Sequence, residues 1–249
     1  MEEIEFLKKR FKELYTKATE RGMYTYTDFL GLLEQSAFAE VKGAFHPTEY
    51  KLFGGTDGTE RVMVRFGAEG SFGPDFPIKC IKVEPVSQKF ADKLTHRDFL
   101  GAILNLGLER STLGDIAIVD NVGYVFLRED VAAHVLGELT RVKHTEVTLT
   151  ETDAPRGAEI FRTERRRVQA VGERVDAIIA KLFSLPRDDA NILFAKKLVF
   201  VCGKACENNS YTLKRGEVVS VRGYGRFIYR GYESRSKKGK LNIEVDLYV

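Results

Sequence analysis

The chain has no tryptophan and, among 249 residues, just three cysteines, three methionines, four histidines and six prolines. Each scarcity excludes something. Three cysteines, few and odd in number, cannot build the disulfide ladder of a secreted scaffold, so a reducing compartment is expected. Cys202 and Cys206 are separated by Gly-Lys-Ala. They offer two thiols where a structural zinc takes four ligands, and with no second cysteine pair or spaced histidine pair nearby, no metal is expected. Cys80 falls in an apolar run and reads as a buried thiol. His46, His96, His134 and His144 show no nucleophile partner. No window approaches the roughly 18 apolar residues of a membrane span, and the charged first turns hold no signal-peptide core. A cytoplasmic protein without a membrane partner is the expectation. Neither GxxxxGK[ST] nor a strand-linked GxGxxG occurs, so no cofactor and no small-molecule substrate is expected.

What is present is an ordinary globular composition, 43% hydrophobic and 30% charged, able to bury sizeable cores. The net charge of +3 hides a polarity. From Arg156 to Val249 there are 20 Lys and Arg against 11 Asp and Glu, a surplus of nine, while the preceding residues hold 19 against 25, a deficit of six. A basic C-terminal third on an acidic body implies a polyanionic partner for one end.

The spacing predicts four stretches: an N-terminal α/β region over 1–76, a second domain over 77–152, a basic linker over 153–172 and a C-terminal domain over 173–249. Ile4, Leu7, Phe11, Leu14 and Ala18 give a helix over 3–19. Thr27 reads as the N-cap of a helix from Asp28 to Lys42. Gly54, Gly55 and Gly58 have the freedom to cradle a phosphate, but no helix follows them. They read as a hairpin turn leading into a strand over 61–66. Residues 78–151 read strand, helix, strand, strand, helix, strand, the ferredoxin-like order that RNA-recognition motifs share. Tyr124 and Phe126 share one strand face, where ordinary sheet packing is expected ahead of base stacking. His96-Arg97-Asp98 is explained by a Thr95 cap at a helix start.

The richest stretch is 174–226. Val175, Ile178, Ile179 and Leu182 recur at helical spacing, Leu185-Pro186 breaks the helix, and a second helix starts near Asp188. Short strands follow over 198–201 and 218–221. Arg174, Arg187, Lys196, Lys197, Lys204 and Arg226 are expected to form one basic surface on this helix pair, suited to a nucleic-acid backbone. Arg222 joins Arg226 around Gly223-Tyr224-Gly225. Arg165 and Arg166, in the dense cluster Arg162 to Arg167, read either as a solvated face or as phosphate contacts. No catalytic residue is expected.

Several of these motifs carry a family resemblance. Arg174-Val175-Asp176, Pro186-Arg187-Asp188-Asp189-Ala190, Val199-Phe200-Val201-Cys202-Gly203-Lys204 and Gly216-Glu217-Val218-Val219 resemble the RNA-binding domain named after ribosomal protein S-four. Pro and Asp stand where that family has serines around Arg187, Cys202 stands for its Asn, and Lys196-Lys197 occupies the place of its helix-ending glycine. Phe53 to Arg61, Leu94 to Gly101, Arg110, Gly114-Asp115-Ile116 and Ser220 to Phe227 are similar to segments of YlmH-type proteins. The resemblance implies an α+β chain with a ferredoxin-like central domain and a C-terminal helix pair on a small sheet. It implies structured RNA as ligand, namely large-subunit rRNA and possibly tRNA. It further implies a non-enzymatic role on the large ribosomal subunit in translation or its quality control, with a link to cell division. Two alternatives stand beside it: an RNA-modifying enzyme of pseudouridine-synthase type, using Asp98 or Asp115, and an RNA-independent adaptor.

Overall fold

The computed structural model describes residues 2–236 and 239–249. The fold mixes helix and sheet and divides into two compact units, Met1–Phe161 and Arg162–Val249.

The first unit opens with α1 (Glu2–Arg21), whose Phe11, Leu14 and Ala18 are buried at helical spacing. Gly22, with φ of +59°, ends it. Then come β1 (Thr25–Tyr26), α2 (Leu32–Val41), β2 (Tyr50–Phe53) and β3 (Met63–Phe66), with the sheet ordered β1-β3-β2. The second helix starts four residues later than predicted. Thr27 is not its cap: its hydroxyl accepts the Val64 N–H and donates to the Asp28 carbonyl, stitching β1 to β3. Gly31 is the N-cap instead.

The same unit continues through β4 (Ile78–Pro85), α3 (His96–Leu104), β5 (Leu113–Val119), β6 (Val122–Arg128), α4 (Glu129–Glu138), β7 (Arg141–Val142), β8 (Thr145–Thr152) and the short α5 (Gly157–Ile160). Its antiparallel sheet is ordered β5-β6-β4-β8-β7. β7 is an added edge strand that two residues of pattern cannot signal. Asp120 and Asn121, with φ of 51° and 68°, form the two-residue turn between β5 and β6. Asn121 also accepts the Leu94 N–H at 2.8 Å and donates to the Asp92 carbonyl at 2.9 Å. Helices α3 and α4 cover one face through Phe99, Ile103, Ala132 and Val135.

The other face of this sheet is covered as well. Phe29, Met63, Phe126 and Ile160 form one buried cluster there. A Cβ on Gly55 would lie 2.3 Å from the Phe126 ring, and one on Gly157 would lie 1.7 Å from the Asp57 carbonyl oxygen. The glycine turn therefore sits against Phe126 and is not available as a phosphate cradle. Phe126 is fully buried, a burial that contributes about 2–3 kcal/mol. Cys80 lies in the same cluster, and burial pushes its thiol up to about 12.

The second unit comprises β9 (Thr163–Ala170), α6 (Val175–Leu182), α7 (Arg187–Ala195), β10 (Val199–Val201), β11 (Lys204–Ala205), β12 (Val218–Val221), β13 (Gly225–Arg235) and β14 (Leu241–Tyr248). Its sheet is ordered β11-β10-β12-β13-β14-β9. The stretch read as a basic linker, 153–172, holds the short α5 and the strand β9. β9 pairs with β14 without a break from Ala170↔Leu241 to Thr163↔Tyr248. Along β9 only Val168 and Ala170 give the inward face an apolar signature, so its period is masked by charge. β13 and β14 are longer than any strand predicted in this region. Inward residues Phe227, Tyr229, Ile243 and Val245 pack under α6 and α7 through Ile178, Ile179, Ala190 and Phe194.

Both helices end alike. Ser184 and Lys197 hold φ of 55° and 53°. Leu185 N–H reaches the Ala180 carbonyl and Leu198 N–H the Leu193 carbonyl, so each end closes as a Schellman motif. Pro186 then follows where a helix cannot continue.

Candidate nucleic-acid interface

The basic residues singled out in the sequence fall into several groups in the second unit, not one. The first lies where α6 and α7 begin. Asp176 is 1% exposed, and its carboxylate accepts Arg174 Nε at 3.0 Å, Arg174 Nη2 at 2.8 Å and the Ala177 N–H at 2.8 Å. Arg187, the first residue of α7, brings Nη2 to 3.8 Å from the same carboxylate. The hydrogen bonds and charge of Asp176 raise the Arg174 guanidinium above its usual range. One buried carboxylate thus orients two guanidiniums whose side chains remain 42% and 67% exposed. The pair keeps a net positive charge and N–H donors facing water, the arrangement a phosphate requires.

A second group lies at the end of α7. Lys196 is its C-cap, and the Arg222 N–H donates to the Leu198 carbonyl at 2.9 Å, which sets the end of β12 beside it. Lys197 pairs with Glu207 at 3.0 Å. Lys196, Lys204 and Arg222 make no ion pair among the described residues. Lys204 follows the tight turn of Cys202 and Gly203, whose φ values are 48° and 76°. With Cys202, Cys206, Tyr211 and Glu217 it lines a cavity of about 370 Å³. Burial raises the Cys206 thiol, and its Sγ lies 3.4 Å from the Asn208 carbonyl oxygen.

The third group is on the sheet face turned away from the helices. Strand alternation places Arg165, Arg226, Arg230, Glu244 and Asp246 there, opposite Phe227, Tyr229, Ile243 and Val245. Arg165 and Arg230 both hydrogen-bond Asp246, Arg165 also reaches Glu244 at 3.0 Å, and Arg167 bonds Glu233 and Glu244. Burial alone would push the Asp246 carboxyl up, but the hydrogen bonds and charges of Arg165 and Arg230 hold it below the usual carboxylate range. Arg166 pairs with Glu164. The arginines of β9 are therefore matched by carboxylates and differ from Lys196, Lys204 and Arg222. Arg226 sits with its guanidinium 3.8 Å from the centre of the Tyr248 ring.

Residues of the first unit that suggested other chemistry have internal partners. Asp98 accepts the Thr95 N–H at 2.8 Å and the Thr95 hydroxyl at 2.7 Å, which hold its carboxyl below the usual range. Asp115 accepts the backbone N–H groups of Glu60 and Arg61. Arg61 donates to the carbonyls of Leu113 and Phe29, and Arg110 to those of Leu113 and Gly114. Burial, and then the like charge of Arg61, bring the Arg110 guanidinium down to about 10. The segments Phe53–Arg61 and Arg110–Ile116 thus form one buttress between turn and sheet. Phe126 is enclosed and presents no ring for a base.

Sequence reasoning passed over Tyr224 and the orienting role of Asp176. Tyr224 was legible as an aromatic between two glycines, whereas the burial of Asp176 has no sequence signal.

Residues 73–155 match the family described as the putative RNA-binding domain in YlmH. Over 223 residues the chain is 29% identical to the ribosome-associated protein quality control protein P2 of Bacillus subtilis (strain 168), spanning 87% of this chain and 84% of that one. A solved structure, the cell division protein ylmH from Streptococcus pneumoniae, is 22% identical, with a TM-score of 0.46 over 60% of this chain and 91% of its own. That likeness is too loose to place any residue. Among the described residues no helix is long and apolar enough to cross a membrane.

Proposed function

We propose that this chain is a non-catalytic RNA-binding protein that acts on the large ribosomal subunit, in translation or its quality control. The observation that carries the reading is the 29% identity, across 87% of the chain, to a ribosome-associated quality control protein. The match of residues 73–155 to an RNA-binding domain family supports it. In this reading residues 173–249, with β9 added at the sheet edge, act as an S-four-type domain. Arg174 and Arg187 grip phosphates of structured rRNA, with tRNA as a second ligand, and Lys196, Lys197, Lys204, Arg222 and Arg226 add charge around them. Arg165 and Arg166, already matched by carboxylates, contribute field but few direct contacts.

The test is sedimentation of the protein with large ribosomal subunits through sucrose at low and high salt. Co-migration at low salt and release at high salt is expected, because neutralised phosphates give up bound counterions. Protein at the top of the gradient at both salts overturns the ribosomal reading. Arg187→Glu should weaken binding by about tenfold or more, since it removes one phosphate contact and adds a repulsion. Unchanged binding overturns the surface.

A further inference from the structure

We propose that the turn from Arg222 to Arg226 is a stacking platform that takes one unpaired RNA base against the ring of Tyr224. The inference rests on the RNA-binding reading above and adds to it a ligand class, single-stranded nucleotides. Tyr224 is 46% exposed, yet it is not a loose surface residue. Its ring lies 5.7 Å from that of Phe183 at the end of α6, and Phe183 lies 6.4 Å from the core residue Phe227. The ring is thus braced from behind while much of it meets solvent.

The backbone is shaped to present it. Gly223 and Gly225 hold φ of 84° and 146°, values that side-chain-bearing residues rarely adopt. These two glycines let the chain reverse between β12 and β13, with Arg222 and Gly223 at the tip and Tyr224 the last residue of the turn. Arg222 and Arg226 stand two residues before and after Tyr224 in the chain. Arg222 is exposed and has no ion-pair partner among the described residues, with its guanidinium 5.5 Å from the Phe200 ring. The Arg226 guanidinium lies on Tyr248. A braced, exposed aromatic ring with an arginine two residues away along the chain in each direction combines the elements that hold single-stranded nucleic acid: a π-face for the base and positive charge for its phosphates. A paired base within a duplex has its faces covered by its neighbours, so the platform selects looped-out or single-stranded nucleotides.

The absence of tryptophan makes the test direct, because Tyr224→Trp creates the sole indole in the chain. This variant is titrated with a labelled single-stranded oligoribonucleotide, with a duplex of the same sequence and with inorganic polyphosphate. Fluorescence polarisation reports binding and indole emission reports stacking. Emission quenched by the single strand, and not by duplex or polyphosphate, is the expected result. Tyr224→Ala should lose about tenfold in single-strand affinity, while Tyr224→Phe keeps it. Single-strand binding seen by polarisation with unchanged emission, or Tyr224→Ala binding as tightly as the parent, overturns the platform and leaves the RNA reading intact. No polarisation change with any RNA overturns both. An interaction with ribosomal particles that survives nuclease treatment and still depends on Tyr224 also overturns it, in favour of a protein contact.

Discussion

Two sheets in this molecule are built on similar terms and used differently. The sheet ordered β5-β6-β4-β8-β7 has helices on one face and, on the other, a glycine turn and a cluster around Phe126. Its strand aromatic is consumed by packing. The sheet ordered β11-β10-β12-β13-β14-β9 has helices on one face and a ladder of arginines and carboxylates on the other. Of its two exposed tyrosines, Tyr232 lies on β13 and Tyr224 at the turn before it. An aromatic on a strand of an RNA-binding type of fold is therefore not by itself a base platform, because what matters is whether another part of the chain reaches that face first. The same holds for arginine. In the first unit Arg61 and Arg110 donate to backbone carbonyls, while in the second Arg174 and Arg187 share one buried carboxylate and keep donors facing solvent.

The largest way to break this contrast is to lift the turn from the first sheet. Gly55→Ala introduces a Cβ 2.3 Å from Phe126 at a φ of 106°. It should cost about 3 kcal/mol by denaturant unfolding, the sum of overpacking and backbone strain. A loss below about 1 kcal/mol would show that the turn yields easily and the face is not sealed.

A smaller effect is expected on the ladder of the second sheet. Asp246→Asn leaves Arg165 and Arg230 without their shared charge, but both guanidiniums reach water, so about 1–2 kcal/mol is expected rather than the full penalty of a broken buried pair. The pH dependence sharpens this. The Asp246 carboxyl is lowered in the folded state, so its contribution is fully present above the unfolded aspartate value of about 3.9 and is lost as pH falls through the lower folded one. Asp246→Asn should flatten the acid limb of the stability curve, and an unchanged limb would assign that limb to other carboxylates.

The smallest effect compares the two tight hairpins. The first sheet turns on Asp120-Asn121, residues that tolerate positive φ, and the second on Cys202-Gly203. Cys202→Asn should raise stability by about 0.5–1 kcal/mol through relief of left-handed strain at φ of 48°. Thermal unfolding checks it, and no gain would mean that the Cys202 side chain makes compensating contacts with the cavity it lines.

The sequence by itself determined the helices α1, α3, α6 and α7, the chain order of the four long strands and two helices over residues 78–152, without β7, and the basic character of the C-terminal third. These features are written in local periodicity, in turn chemistry such as Asn121 and Pro186, and in charge count, which need no distant partner to be read. It did not determine that β9 is a strand. The pairing of β9 depends on β14, more than 70 residues away, and its exposed arginines are balanced by Glu244 and Asp246 of that partner. Nor did it determine which arginines remain available, or that Phe126 lies beneath Gly55. Charge pairing and face coverage are properties of which surfaces meet, and only the tertiary structure brings together residues as far apart as Arg174 and Arg187, or Phe183 and Tyr224.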